Sequence, residues 1–519
     1  MIPRSRINFL SLLLSFSSFL VGALTILSFA PYRYYWLAPI SLVLLFFLID
    51  YQPRYAGRLA YFWGMGFFLT QCYWVNTAIH EFGGVPIPIS LLLTLLLPVY
   101  LAVYPCLAVL AMRLFSFDNV WRWLLVLPLT WTVGEFVRER FASGFGWGTL
   151  GYSQASASPL IAYASIGGIL LVTYFVVFIA ALLWLVIQTA LSKKLRFMGL
   201  GAMAFIILFG VFLKGVDFTH FNGQESLIGI AQLNDSSAVK HDRQLNVNQL
   251  MGHFTKLLTA HPNLEIVFFP ETALPVVWED LEDAAKKNLV QQARVQHTVI
   301  ALGVLKQSHS LWMPYNAVII IDPHRSGFQF PFYAKRHLVP FGEYKAWPWL
   351  SKPIFRWLHI SLGELTAGPY QQMVLSLGKQ KIAFNICYEE SFGDELVDMA
   401  ISSTVIANAT NMGWYGSSYA MDLQLQQAQA RAIELGRYVV RATNTGYSAI
   451  IDNKGTILAY LPRDRQGFLQ GMIKAYTGAT WYMRLGGSRP MIMIMILLLF
   501  FLLIYDHLYY RRRKLLLNS

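Results

Sequence analysis

Residues 381–394 read KIAFNICYEESFGD. The first seven form a mostly apolar run of strand length, and it ends at a cysteine followed at once by a tyrosine and two glutamates. Cys387 therefore admits two readings. It is a small buried hydrophobe on a core strand, or it is a nucleophile at the carboxyl end of a strand, where sites of α/β folds gather. The neighbours Glu389 and Glu390 raise a thiol's pKa rather than lower it. A reactive Cys387 must therefore be activated by a base or a cation from elsewhere in the chain.

Working outward, strand-like and helix-like segments alternate over about 220–480. LIGIAQL (227–233), LEIVFFP (264–270), TVIALGVL (298–305), NAVIIID (316–322), KIAFNIC (381–387), TVIANAT (404–410), YVVRAT (438–443) and SAIIDNKGTILAYL (448–461) read as strands. Helices are expected at 243–260, 279–296, DELVDMA and 420–437. This alternation predicts a layered α/β domain, and short turns such as DNKG predict a mixed sheet.

Two more stretches at strand ends carry reactive groups, PETALP and YAKRHLVPFGEY. Glu271 is a turn carboxylate or a general base for the thiol. Lys335 is a surface lysine or a cation that lowers the thiol pKa and holds an oxyanion. Glu343 can orient that lysine or share in proton transfer. His337 and His241 are not at metal-ligand spacing, and no GxSxG elbow or Walker sequence is present. No metal or cofactor is expected.

The 519-residue chain is 55% hydrophobic and 13% charged, about half the charge of an ordinary soluble protein. Its apolar runs predict eight transmembrane helices, at about 8–29, 34–50, 59–79, 88–112, 121–137, 159–190, 195–214 and 490–508. The first is read as an anchor rather than a signal peptide, because its apolar stretch is long and no cleavage site is clear. With the N-terminus inside, Arg4, Arg6, Arg54, Arg58, Arg113, Arg122, Lys193, Lys194, Arg196, Arg511, Arg512, Arg513 and Lys514 lie inside. Only Arg33, Arg138, Arg140 and Lys214 lie in the outer loops. Thirteen against four puts both termini in the cytoplasm and the α/β domain outside the inner membrane. The expected organisation is a membrane domain over 1–219, an outer domain over 220–480, and an eighth span with a basic tail over 481–519. The net charge of +13 then suits anionic lipid headgroups. No nucleic-acid-binding signature accompanies it. Cys72 and Cys106 fall in expected spans, so Cys387 has no disulfide partner in its own domain. Glu135 is the main charge within the expected spans, which disfavours a transporter built around a charged midplane site.

FPE with Glu271, YAK with Lys335 and CYE with Cys387 resemble the Glu–Lys–Cys triad of the nitrilase superfamily in chain order. The wider chain resembles the apolipoprotein N-acyltransferase family of Gram-negative bacteria over nearly its whole length. The stretches that carry the likeness are GALTILSFAPY, NTAIHEFGGVP, GFGWGTLGYSQ, HLVPFGEY, NICYEESFG, ATNMGWYG and RAIELGRYVVRATNTGYSAIID. The resemblance implies an αββα nitrilase-like sandwich between the seventh and eighth spans, acting as a monomer. It implies transfer of an acyl chain from a glycerophospholipid to the α-amino group of a diacylglyceryl apolipoprotein, through a thioester on Cys387. Glu271 would be the base. Lys335 and the Tyr388 N–H would hold the oxyanion, and Glu343, Tyr388 and Glu389 would support the centre. Trp414, Tyr415, Arg138, Arg140 and Trp147 are candidate substrate contacts, or alternatively packing and interfacial residues. The chain departs from the family pattern at His241, Met412, Gln424 and Gln429, which bears on substrate preference rather than on the triad. The rival enzyme reading is a membrane-tethered amidase that releases acyl groups to water.

Overall fold

The structure is a computed structural model. It describes every residue except 1–3, 156, 189–190, 236–242, 262, 310–312, 326, 359–362 and 518–519. The chain forms two compact units. One comprises Met1–Tyr73, Leu91–Val216 and Arg484–Ser519, and the other Trp74–Ser90 and Asp217–Met483.

The first unit is helical. Among the described residues five helical stretches are long and apolar enough to cross a membrane: Phe9–Ser28, Ile87–Met112, Pro159–Ile187, Lys193–Lys214 and Arg489–Tyr509. Leu37–Tyr51 and Pro53–Cys72 meet the same test together but are bent by 116° at their break. The segment expected near 121–137 contains a π-turn, Arg122–Val126, and then a helix of only 12 residues, Leu127–Arg138. That helix is shorter than a spanning length by itself. Its Glu135 is tied inside the unit, accepting the Leu150 N–H at 3.1 Å and the Thr173 hydroxyl at 2.7 Å.

Among the described residues the second unit has thirteen strands: β1 (Thr219–Gln232), β2 (Ile266–Phe268), β3 (Leu274–Val277), β4 (Val299–Lys306), β5 (Tyr315–Ile321), β6 (Phe332–Ala334), β7 (Leu375–Leu377), β8 (Gln380–Ile386), β9 (Val405–Thr410), β10 (Tyr438–Thr443), β11 (Ser448–Ile451), β12 (Ile457–Leu461) and β13 (Gly467–Gly478). One sheet runs β13-β1-β2-β4-β5-β6, with β3 pairing β4, and the other runs β12-β11-β10-β9-β8-β7. Both are mixed. β1-β2-β4 and β8-β9-β10 are parallel, and the outer pairs are antiparallel. The helices are α1 (Arg243–Ala260), α2 (Asp283–Val295), α3 (Pro348–Trp357), α4 (Gly393–Ser402) and α5 (Ala420–Leu435).

Strand alternation sorts the side chains into layers. Ile228, Ile230, Ile266, Phe268, Val299 and Ala301 face the second sheet and share a core with Ile382, Phe384, Ala407 and Val440. Phe268 and Phe384 meet across the sheets, their ring centroids 6.4 Å apart. The intervening residues Val267, Phe269, Ile300 and Leu302 turn the other way and pack against Phe254 and Leu257 of α1 and Leu289 and Ala293 of α2. α4 and α5 cover the outer face of the second sheet through Leu396, Val397, Leu425 and Ala428. The layers are therefore α-β-β-α. Central strands such as VIANAT and YVVRAT are buried on both faces, which is why they read as apolar runs without alternation.

Candidate active site

Glu271 stands just past the end of β2, after Phe269 and Pro270. Its backbone reaches the site because β4 presents Gly303 beneath it; a Cβ there would lie 2.0 Å from the Pro270 carbonyl oxygen. Lys335 follows β6, and its N–H donates to the Asn316 carbonyl of β5 at 2.8 Å. Cys387 follows β8 with φ of +52°, a left-handed conformation uncommon for a residue with a Cβ. Three strand ends thus deliver three reactive groups.

The Lys335 ammonium donates to Glu271 Oε1 at 3.3 Å and to Glu343 Oε1 at 2.8 Å. The Asn316 amide bridges the same two oxygens at 2.7 and 3.2 Å. Glu271 Oε2 accepts the Asn411 N–H at 2.8 Å, and Glu343 Oε2 accepts the Val339 N–H at 2.8 Å. Glu271, Lys335 and Cys387 are buried. Burial alone would lower the lysine's pKa, but the Glu271 and Glu343 carboxylates outweigh it and hold the ammonium well above its usual range. The Cys387 thiol is pushed up to about 12, first by burial and then by the Glu271 charge, with Lys335 and the Thr410 hydroxyl pulling the other way. At rest Cys387 therefore carries a neutral thiol that feels the Glu271 charge.

Glu389 braces this arrangement from behind. Its carboxylate accepts the N–H groups of Ile386 at 2.7 Å, Arg336 at 2.7 Å and His337 at 3.1 Å, and the Tyr333 hydroxyl at 3.0 Å. One buried side chain so joins the thiol's turn to the lysine's loop. Burial raises its pKa in spite of these donors. The Tyr388 ring packs edge-on against His337 and Phe392.

Two described families match the chain: "Apolipoprotein N-acyltransferase N-terminal domain" over residues 21–182 and "Carbon-nitrogen hydrolase" over 227–482. The apolipoprotein N-acyltransferase of Neisseria meningitidis serogroup A is 40% identical over 90% of this chain and 92% of its own length. The chain belongs to the apolipoprotein N-acyltransferase family. Its namesakes from Chromobacterium violaceum and Nitrosomonas europaea are 37% and 31% identical, covering 92% of this chain in each case and 90% and 95% of their own lengths.

The remaining candidate residues of this family member divide between the two units. Trp414 and Tyr415 follow β9 in the second unit. Phe82 packs on Trp414 with centroids 4.9 Å apart, and Trp74 on Tyr415 at 4.4 Å. The NTAIHEFGGVP stretch belongs to this unit for that reason, although it falls among the expected spans in sequence. Arg138, Arg140 and Trp147 belong to the first unit. Arg138 is buried, donating to the Trp147 carbonyl at 2.6 Å and to Thr149 at 2.8 Å. Trp147 is likewise buried, whereas Arg140 lies over the Phe136 ring at 3.7 Å.

Of the departures from the family pattern, His241 lies outside the described residues. Met412 is fully buried. Gln429 donates to the Gly455 carbonyl at 2.7 Å and so anchors the DNKG turn, while Gln424 donates to the Cys387 carbonyl at 3.0 Å. Sequence reasoning missed Asn316, Thr410 and Asn411. The only signal for Asn316 is a lone amide at the head of the apolar run NAVIIID, which a buried strand tolerates only where the amide has partners.

Proposed function

We propose that this chain transfers an acyl chain from a glycerophospholipid to the α-amino group of a diacylglyceryl apolipoprotein, with Cys387 as nucleophile. The observation that carries the reading is the buried Glu271–Lys335 pair with the half-buried Glu343, whose charges act on the Cys387 thiol. Glu271 takes the thiol proton as sulfur attacks the ester carbonyl carbon. Lys335 and the Tyr388 N–H hold the negative oxygen of the tetrahedral adduct. The carbon–oxygen bond of the ester breaks, and Glu271 returns the proton to the departing lysophospholipid alkoxide. The acyl group now sits on Cys387 as a thioester. The apolipoprotein amine then attacks it and loses a proton to Glu271. The carbon–sulfur bond breaks, the amide leaves, and sulfur recovers the proton.

Both substrates are bilayer-bound, which fits a chain with several long apolar helices. In our reading eight helical segments span the inner membrane, counting the bent pair as two and including Leu127–Arg138. Residues 220–480 form the periplasmic catalytic domain between a membrane domain over 1–219 and the final span and basic tail over 481–519. Both termini are cytoplasmic, a reading that the thirteen-to-four bias of Lys and Arg supports. The enzyme acts as a monomer. Trp414 and Tyr415 line the lipid side of the site.

The test is intact mass after incubation with phospholipid alone, followed by lipopeptide. The parent protein gains one acyl mass and loses it to the lipopeptide, whereas Cys387→Ala gains none. A Cys387→Ala protein that still acylates lipopeptide means that the nucleophile is elsewhere, and an acyl product appearing only as free acid favours the hydrolase reading.

A further inference from the structure

Behind the Cys387 turn lies a line of buried polar groups that the chemistry above leaves unused. Gln424 of α5 donates its Nε2 to the Cys387 carbonyl at 3.0 Å. Gln424 Oε1 accepts from Arg441 Nη2 at 2.5 Å. Arg441, on β10, forms an ion pair with Glu390, three residues beyond the nucleophile. Gln424, Glu390 and Arg441 are 1%, 1% and 0% exposed.

Each link constrains the next. The guanidinium has only donors, so it fixes the Gln424 amide with oxygen toward Arg441 and NH2 toward Cys387. The Cys387–Tyr388 peptide is planar and trans, so its carbonyl and the Tyr388 N–H point in opposite directions. Whatever holds the carbonyl therefore aims the N–H. The hold is needed because Cys387 sits at φ +52°, a conformation that persists where its surroundings over-determine it.

We propose that Gln424 is a positioning residue for enzyme acylation: it clamps the Cys387 carbonyl and thereby aims the Tyr388 N–H at the developing oxyanion. The inference rests on the nucleophile and oxyanion roles given above. It predicts a defect in the chemical step and not in thiol ionisation or phospholipid binding.

The test uses the full-length protein with phosphatidylethanolamine vesicles. It reads the acyl-enzyme by intact mass against time and the thiol by iodoacetamide alkylation at pH 8. Gln424→Glu keeps a carboxyl oxygen for Arg441 and loses the donor, whereas Gln424→His keeps a ring N–H donor. Losing a whole oxyanion donor costs about 10²–10³ in rate, so a misaimed one in Gln424→Glu should slow acylation by about 10–100-fold. Alkylation should stay within about twofold of the parent, the KM for phospholipid should not move, and Gln424→His should regain part of the rate. Parent-like acylation in Gln424→Glu overturns the proposal. So does a matching loss of acylation and alkylation in both variants, which marks general damage to the turn. Cys387→Ala separates the two levels. If it still takes up an acyl group, the nucleophile assignment has failed. If it is inert while Gln424→Glu runs at the parent rate, only the role of Gln424 has.

Discussion

The Glu343 carboxylate stands 2.8 Å from the Lys335 ammonium, nearer than the 3.3 Å that separates the ammonium from Glu271. A base committed to a full ion pair with a buried cation is a weak proton acceptor. Glu343 shares that cation and leaves Glu271 freer to act. Glu343→Gln shifts the ammonium's whole charge onto Glu271. Turnover of lipopeptide should then fall by about 10–100-fold, the scale of impaired general base catalysis, with phospholipid KM little changed. An unchanged kcat at saturating phospholipid would remove Glu343 from the proton-transfer account.

The thiol itself offers a sharper electrostatic test. Cys387 is pushed up to about 12 by burial and then by Glu271, against the pull of Lys335. Neutralising Glu271 removes a cause of the rise, so the folded pKa falls and the thiolate fraction at a given pH grows. Glu271→Gln should therefore be alkylated by iodoacetamide faster than the parent at pH 8–9 while losing acyl transfer. Lys335→Met moves the thiol the other way and should be alkylated more slowly. In the parent, the alkylation rate should keep climbing past the ordinary thiol range near pH 8.5. If Glu271→Gln is alkylated no faster, the carboxylate is not felt by the sulfur.

The contrast between what the sequence disclosed and what it hid has a physical basis. Strands buried on both faces, such as β4, β5 and β9, announce themselves as apolar runs, and each emerged within about a residue or two of its expected limits. β13 did not, because GFLQGMIKAYTG carries three glycines and a lysine. Its place comes from long-range pairing with β1, from Thr219 with Gly478 to Gln232 with Gly467, interrupted by a bulge between Phe221 and Glu225. β3, β6 and β7 are only 4, 3 and 3 residues long, too short for a periodicity to register. In the helical unit, length and apolarity marked most of the segments, but a polar tie such as Glu135 to Thr173 depends on three-dimensional neighbours. At the site, Glu271, Lys335 and Cys387 stood out as reactive groups at strand ends. Asn316 and Asn411, which hold Glu271 in place, are ordinary amides until the strands bring them together.

Glu389 is the clearest case of a side chain whose value lies in its geometry. Its pKa is raised by burial, so its charge is a cost rather than a gain. What stabilises the fold is the match between two carboxylate oxygens and four donors from Tyr333, Arg336, His337 and Ile386. Glu389→Gln replaces one acceptor by an NH2 group, and a donor then faces a donor. One stranded N–H costs about 2 kcal/mol. Thermal unfolding should start several degrees lower, and kcat should drop while phospholipid KM holds, because the Ile386 N–H lies next to the nucleophile. Parent-like stability together with parent-like kcat would show that the brace is dispensable.

The membrane orientation rests on basic side chains and can be read with a thiol reagent. The native cysteines are Cys72, Cys106 and Cys387, of which Cys72 and Cys387 are buried. Met373 is 85% exposed on the α/β unit, and Lys194 is exposed at the start of the Lys193–Lys214 helix. In the proposed orientation Met373→Cys faces the periplasm and Lys194→Cys the cytoplasm. A membrane-impermeant maleimide applied to intact spheroplasts should modify Met373→Cys and leave Lys194→Cys untouched until the membrane is opened. The reverse pattern would turn the whole chain over. Labelling of both before permeabilisation would mean that Lys193–Lys214, the one assigned span between the two positions, does not cross. A failure of Leu127–Arg138, which precedes both positions and is shorter than a spanning length, would also give the reverse pattern, and moving the reporter cysteine to either end of that helix separates it from inversion of the whole chain.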